Sequence, residues 1–261
     1  MTSQRAVPAH QAHWMAPRRC EHLLVIPVIN EGERLHRLLG RIQSLGLVRS
    51  VDICVVDGGS TDGSVAAGVL QPLGVDTLIV KTGPGRLSAQ LRCAYAHALD
   101  AGYAGVITID GNDKDDPAAT PSFIAALRDG VDFVQGSRFV EGGVAENTPL
   151  LRHLAIRGIH APLLRLASGF AWTDTTQGFR GYSRRLLEHA RLALFRDVFD
   201  SYELLAHVSA RAPRLGLRCL ELPTARRYPK GEVPTKISAL RGNTRVLKIL
   251  LAACLGAYDP R

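Results

Sequence analysis

Between residues 23 and 135 short apolar runs alternate with stretches of helical period, and this alternation limits the possible folds more than any other feature of the chain. The runs Leu23 to Val28, Val51 to Val56, Asp76 to Val80, Val106 to Ile109 and Asp132 to Gln135 read as strands, being short and rich in β-branched residues. Residues 32–44, 62–72, 87–101 and 120–129 between them read as helices. Such βαβα spacing favours a mostly parallel central sheet with helices on both faces. Ligands of such sheets bind beyond the carboxyl ends of the strands. The polar motifs fall at those ends: PVINEGE after the first strand, DGGSTDGS after the second, DGNDKDD after the fourth and GSRFVEGG after the fifth.

The C-terminal part reads as a longer helix at 149–168, the segment DTTQGFRGYS, a helix at 201–212, a strand at 218–222 and a last helix at 237–255. On that last helix Arg241, Arg245 and Lys248 stand opposite Leu240, Leu247, Leu250 and Leu251. Two readings fit: a docking helix with a solvated face, or a basic amphipathic surface resting on anionic lipid.

With 261 residues, 46% of them hydrophobic, the chain can fill one large core, so a single domain over 21–261 is expected. Residues 1–20 lack an apolar segment and read as a disordered leader, not a signal peptide. The five cysteines are odd in number, widely spaced and form no CxxC pair, which argues against a disulfide framework and a zinc site and fits a cytoplasmic protein. The longest apolar stretch, Ile249 to Tyr258, is about half of the roughly 20 residues a membrane-spanning helix needs.

Charge divides the chain: residues 1–149 carry 16 acidic and 13 basic side chains, residues 150–261 carry 8 and 19. A basic half can serve solubility or nonspecific nucleic-acid affinity, or it can face an anionic substrate or membrane surface. The first turn lacks G-x-G-x-x-G and the chain lacks GxxxxGK[ST], so neither a dinucleotide fold nor a P-loop is indicated. What remains is a carboxylate-bearing strand edge suited to a metal-bound diphosphate.

LLVIPVINEGE, VVDGGSTDGS and TIDGNDKDDP, in that order, resemble the nucleotide-sugar half of family 2 glycosyltransferases of GT-A fold. GSRFVEGG, Arg152 in PLLRH, DTTQGFRGYS and YELL resemble the polyprenol-phosphate branch, typified by dolichol-phosphate mannose synthase. The resemblance spans about residues 22–240 and implies a nucleotide-sugar half at 21–136 and an acceptor half at 137–261. It implies that Pro27, Glu31 and Asp57 lie against the nucleoside and that Asp110 opens a DxD-type motif holding Mg2+ or Mn2+. Two departures stand out. The second acid of that motif is Asn112, and Lys114 occupies a place where the family often has a neutral metal ligand. The metal, if held by Asp110 and Asn112, is expected to bind weakly, with Lys114 supplying part of the positive charge on the diphosphate. Asp115 and Asp116, just before Pro117, are expected to cap a helix.

On the acceptor side the resemblance implies that Arg138 and Arg152, fourteen residues apart, meet a lipid phosphate, and that Asp174 and Arg180 form a buried ion pair shaping the pocket. Guanidinium forks suit phosphate oxygens. A phosphate monoester, with a second pKa of about 6, is already anionic near neutral pH and needs no general base. The expected reaction is therefore direct displacement at the anomeric carbon with inversion, the leaving diphosphate being met by metal, Lys114, Arg227 and Lys236. The expected partners are a nucleotide-diphosphate sugar and a polyprenyl phosphate, with peripheral contact to the inner face of an anionic membrane and no nucleic acid. A hydroxyl acceptor is the competing reading; Asp200 and Glu203 in FDSYELL would then supply a base, although a helix cap and a buried arginine partner serve them equally. A third is a nucleotide-sugar-binding protein without catalysis, prompted by Asn112 and Lys114.

Overall fold

The computed structural model describes residues 5–229 and 241–260. Three parallel strands form the centre: β2 (His22–Val28), β3 (Asp52–Asp57) and, on the other side of β2, β5 (Gly105–Thr108). Each is almost wholly buried, as parallel strands covered on both faces must be. The side chains alternate in allegiance. Leu23 and Val25 join one core layer with α3 (Leu87–Asp100), while Leu24, Ile26 and Val28 join the opposite layer with α1 (Glu33–Ser44). In α1 the buried residues Leu35, Leu38, Leu39 and Ile42 repeat at helical spacing.

Among the described residues the main sheet has eight strands in the order β1-β4-β3-β2-β5-β8-β6-β9, with β4 at Thr77–Lys81, β6 at Phe133–Ser137 and β9 at Cys219–Pro223. Two of its strands depart from the sequence reading. Residues 10–15, assigned there to a disordered leader, form β1 (His10–Met15), which pairs antiparallel with β4 from His10↔Lys81 to Met15↔Thr77. Its strand character comes from backbone pairing along an open edge and not from an apolar pattern, so composition gave no sign of it. Within DTTQGFRGYS, residues Arg180–Ser183 form β8, which runs antiparallel between β5 and β6.

Other elements differ in extent. The helix expected at 62–72 shrinks to α2 (Ala67–Leu70), because Asp62 turns the preceding loop by accepting from the Ser64 amide and hydroxyl. Helix α4 (Thr120–Arg128) falls where expected. The helix expected at 149–168 is α5 (Leu150–Ala155), a π-helical turn Ile156–His160 and α6 (Ala161–Ser168). Pro162 has no N–H to give the preceding turn, which accounts for a wider turn just before it. A two-stranded parallel sheet joins β7 (Val144–Glu146) to β10 (Ala225–Arg227).

After the short helix α7 (Arg184–Leu187) come α8 (Glu203–Arg211) and α9 (Arg241–Cys254). Helix α9 docks through Ile249, Leu250 and Ala253. Leu247 and Leu251, expected on the same buried side, are instead 39% and 40% exposed. None of the helices among the described residues is long and apolar enough to cross a membrane.

Two histidines, His207 buried and His160 half-buried, set an acid limit. Burial pulls His160 and His207 down to about 4. His207 lies 3.0 Å from the Leu192 carbonyl, with Asp259 at 3.9 Å on its other ring nitrogen. Because their folded pKa lies below the unfolded value of about 6.5, their stabilisation is complete above that pH and is lost as pH falls toward 4. The unfolding free energy in urea is expected to fall by about 1–3 kcal/mol from pH 7 to pH 5, less in His207→Gln, and a flat profile would refute this.

Candidate active site

Strand order reverses at β2 and β5, and such a switch point leaves a crevice beyond the strand ends. Here β2 stays paired with β3 as far as Val28↔Asp57, but its pairing with β5 stops at Val25↔Thr108. The chain leaving β5 carries Asp110 into the gap. Two glycines make room: a Cβ on Gly111 would meet Val28 Cγ1 at 2.6 Å, and one on Gly178 would lie 2.0 Å from Asp110 Oδ1.

Each of the four aspartates between 110 and 116 has an arginine partner. Arg226 Nη1 and Nη2 donate to Asp110 Oδ2 at 3.3 and 3.2 Å, and Nη1 also donates to Asp115, whose side chain is fully buried. Asp113 takes Arg37 and Arg41, and Asp116 takes Arg41 and Arg227. Asp116 also caps the turn at Pro117–Ala119 by accepting from the Ala118 amide, as expected. Asp115 does not cap; it is a buried ion-pair partner. Burial first, and Asp110 nearby, raise its carboxyl despite Arg226.

Around the Tyr228 ring three cations gather, Lys114 at 5.2 Å, Arg226 at 5.8 Å and Arg152 at 5.9 Å from the centroid. Arg152 Nη1 donates to the Tyr228 hydroxyl at 3.0 Å. Burial alone would raise that phenol, but Arg226 and Arg152 outweigh it and hold it below its usual range. Lys114 is pulled down by burial and then by Arg226. Arg138, also close enough to act on Tyr228, is fixed through Nε to Asp174 at 2.7 Å and through Nη2 to Thr176 at 2.8 Å. Its Nη1 is buried and meets no acceptor among the described residues. A guanidinium held rigidly with one nitrogen unspent is prepared for an anionic oxygen.

The remaining expected residues divide. Glu31, held by Arg34 at 3.2 Å, lines an open cleft of about 500 Å3 together with Arg37, Asn112, Arg227 and Tyr228. Pro27 is half-buried in β2. Asp57, 2% exposed at the end of β3, closes its own turn by accepting from the Gly59 and Ser60 amides and the Ser60 hydroxyl. Arg227 points outward, 49% exposed, to Glu146 and Asp116. Lys236 lies outside the described residues. Asp174 and Arg180 are not an ion pair: Asp174 binds Arg138, while Arg180 donates to the carbonyls of Thr175, Gln177 and Leu205. Glu203 accepts from the Asp200 and Ser201 amides, and Asp200 pairs with Arg245 at 3.2 Å.

Sequence reasoning missed Arg226 and Tyr228. Arg226 and Arg227 are neighbours on β10, so they face opposite ways, and a basic dipeptide does not disclose its strand phase.

As arranged, these residues offer a divalent ion little. Asp110 Oδ2 is taken by Arg226 and approached by the Asn112 amide nitrogen at 3.5 Å, while Asn112 Oδ1 accepts from the Lys114 backbone at 3.3 Å. Among the described residues no group of three or more His, Cys, Asp or Glu is placed to hold a metal.

Residues 23–191 match the family model described as Glycosyl transferase family 2. The polyprenol monophosphomannose synthase of Mycolicibacterium smegmatis is 30% identical over 204 residues, 77% of this chain and 75% of that protein. The dolichol-phosphate mannosyltransferase of Pyrococcus furiosus is 30% identical over 171 residues, 65% of this chain and 48% of that protein, so the chain spans about half the length of this second relative. Among solved structures, glucosyl-3-phosphoglycerate synthase from Mycobacterium tuberculosis in complex with Mn2+, uridine-diphosphate and glucosyl-3-phosphoglycerate has a TM-score of 0.60 at 18% identity, covering 89% of this chain and 79% of that one. Mannosyl-3-phosphoglycerate synthase from Rubrobacter xylanophilus gives 0.59 at 16% identity, covering 90% and 73%. At those identities the likeness is one of fold, a GT-A-like sheet with helices on both faces.

Proposed function

Because the chain belongs to glycosyl transferase family 2, and is thus a glycosyltransferase, we propose that it transfers a hexose from a nucleotide-diphosphate sugar to a polyprenyl phosphate with inversion. One observation carries the reading: Lys114, Arg152 and Arg226 converge on Tyr228 at the carboxyl edge of the sheet, with Arg138 near enough to act on its phenol. A cluster of that kind suits two phosphate-bearing reactants, the leaving diphosphate and the attacking monoester.

Arg226 and Lys114 stand on the Asp110 side and are assigned to the diphosphate, while Arg152 and the unspent Nη1 of Arg138 are assigned to the acceptor phosphate. The attacking oxygen carries its own charge, so the chain has only to hold it in line with the anomeric carbon. The helix that bears Arg152 also bears Leu150, Leu151 and Leu154, exposed by 74%, 76% and 57%. An apolar surface beside a phosphate site is what an isoprenoid tail requires, and the two relatives, a polyprenol monophosphomannose synthase and a dolichol-phosphate mannosyltransferase, favour the same acceptor class.

A hydroxyl acceptor would require a poised base. Asp200 is the carboxylate nearest that role, but its pairing with Arg245 favours the structural reading.

The test uses radiolabelled UDP- and GDP-hexoses with undecaprenyl phosphate or a simple alcohol. Organic-extractable glycolipid is expected; product on the alcohol alone selects the hydroxyl reading, and binding without turnover selects a protein that has lost catalysis. Arg152→Ala is expected to lower acceptor kcat/KM by about 30-fold or more, the effect of roughly 2 kcal/mol, with donor affinity nearly unchanged. Equal loss of donor binding would contradict the division between the two phosphates.

A further inference from the structure

We infer that Arg226 and Lys114 together take the place of the divalent ion, so that this chain binds the diphosphate of its donor without metal. The inference rests on the glycosyl-transfer reading and concerns the same site.

Charge supports it first. Two carboxylates and one divalent cation sum to zero, and the same balance is already present here: Asp110 and Asp115 against Arg226 and Lys114, the last two over one Tyr228 ring. Position supports it second. Arg226 bridges Asp110 and the fully buried Asp115, so its guanidinium sits where an ion shared by carboxylates would sit. That guanidinium is held on every side: Asp110 and Asp115 below, Tyr228 across its face, and the Asp115↔Arg226 backbone bridge behind. It is 7% exposed, so little side-chain freedom remains to be lost when a phosphate arrives. Composition supports it third. Asn112 gives up a carboxylate, its carbonyl oxygen accepts from the Lys114 amide, and Lys114 brings a cation into the same turn. A divalent ion entering beside two fixed cations would meet repulsion that a neutral side chain would not impose. The fixed charge of the guanidinium, with the Lys114 ammonium on the same Tyr228 ring, attracts phosphate oxygens with no ion between them.

Titration calorimetry of the full chain with UDP, GDP and inorganic pyrophosphate, in EDTA and again in Mn2+, tests this. Electron paramagnetic resonance of Mn2+ provides a second readout. Affinity for at least one diphosphate is expected to agree within about threefold between the two conditions, and the free Mn2+ signal is expected to fall no further than the nucleotide alone makes it fall. Tightening by about tenfold or more with Mn2+, or loss of the Mn2+ signal to the protein complex, overturns the inference and leaves glycosyl transfer standing. No binding of any diphosphate under either condition overturns both. Lys114→Gln is expected to weaken binding in EDTA by about 10- to 100-fold, the loss of one charge-assisted contact, with Lys114→Arg recovering most of it. Unchanged affinity in Lys114→Gln would also refute the assignment.

Discussion

Replacing Arg226 with methionine is expected to cost the protein about 3–5 kcal/mol of folding stability and to lower transfer by roughly 100- to 1,000-fold. Stability suffers because Asp115, 1% exposed, loses the one cation that contacts its buried carboxylate among the described residues, and an unpaired buried charge is far more costly than a missing surface pair. Transfer suffers because the charge that develops on the leaving diphosphate loses a fixed guanidinium. The two losses can be separated. Asp115→Asn combined with Arg226→Met removes the buried charge along with its partner and is expected to regain about 2 kcal/mol or more in urea unfolding, while transfer stays low. If the double variant recovers both, Arg226 is a structural strut and has no part in the chemistry.

Arg138→Ala is the second large effect. Asp174 is buried to 0% exposure and takes Arg138 through two nitrogens, along with Thr176 and Gln177. Removing the guanidinium is expected to destabilise the fold by about 3–5 kcal/mol and to depress acceptor use more than donor affinity. Burial alone would raise the Asp174 carboxyl, but Arg138 and the surrounding donors outweigh it and hold it below the ordinary range. A carboxyl whose folded pKa is depressed stabilises the protein above its unfolded value near 4, and the contribution disappears as pH falls through the folded value. The penalty of Arg138→Ala should therefore be largest near neutral pH and shrink in strong acid, measured as the difference in unfolding free energy between the two proteins. A penalty independent of pH would assign the loss to packing. Arg138→Lys, which keeps one charge but not the fork, is expected to regain part of the stability and little of the acceptor turnover.

Much of this site was legible from local chemistry. DGNDKDDP placed Asp110 at a strand end because a β-rich run stops there and four aspartates in seven residues need cations or solvent that a strand interior does not supply. Arg138 and Arg152 came instead from the resemblance of GSR and PLLRH to the polyprenol-phosphate branch; Arg152 donates to Tyr228, while Arg138 is fixed to Asp174. Arg226 was missed for the opposite reason. Both arginines of the dipeptide have the same composition and the same neighbours in sequence, and only the pairing of β10 with β7 decides which turns inward. The expected Asp174–Arg180 pair fails similarly. Six residues separate them in DTTQGFR, but β8 takes Arg180 into the core, where three carbonyls receive it, and leaves Asp174 facing Arg138 thirty-six residues earlier.

By itself the sequence determined the alternation of strands and helices, the edge at which the chemistry gathers and the excess of cations around it. Those properties follow from apolar period and from the cost of burying charge, which act over a few residues at a time. Tertiary structure alone decided that an antiparallel strand enters between β5 and β6, that the first strand closes the opposite edge, and that Arg226 lies across Asp110 and Asp115. These depend on register and strand phase between distant segments, where moving one residue along a strand turns every side chain to the other face.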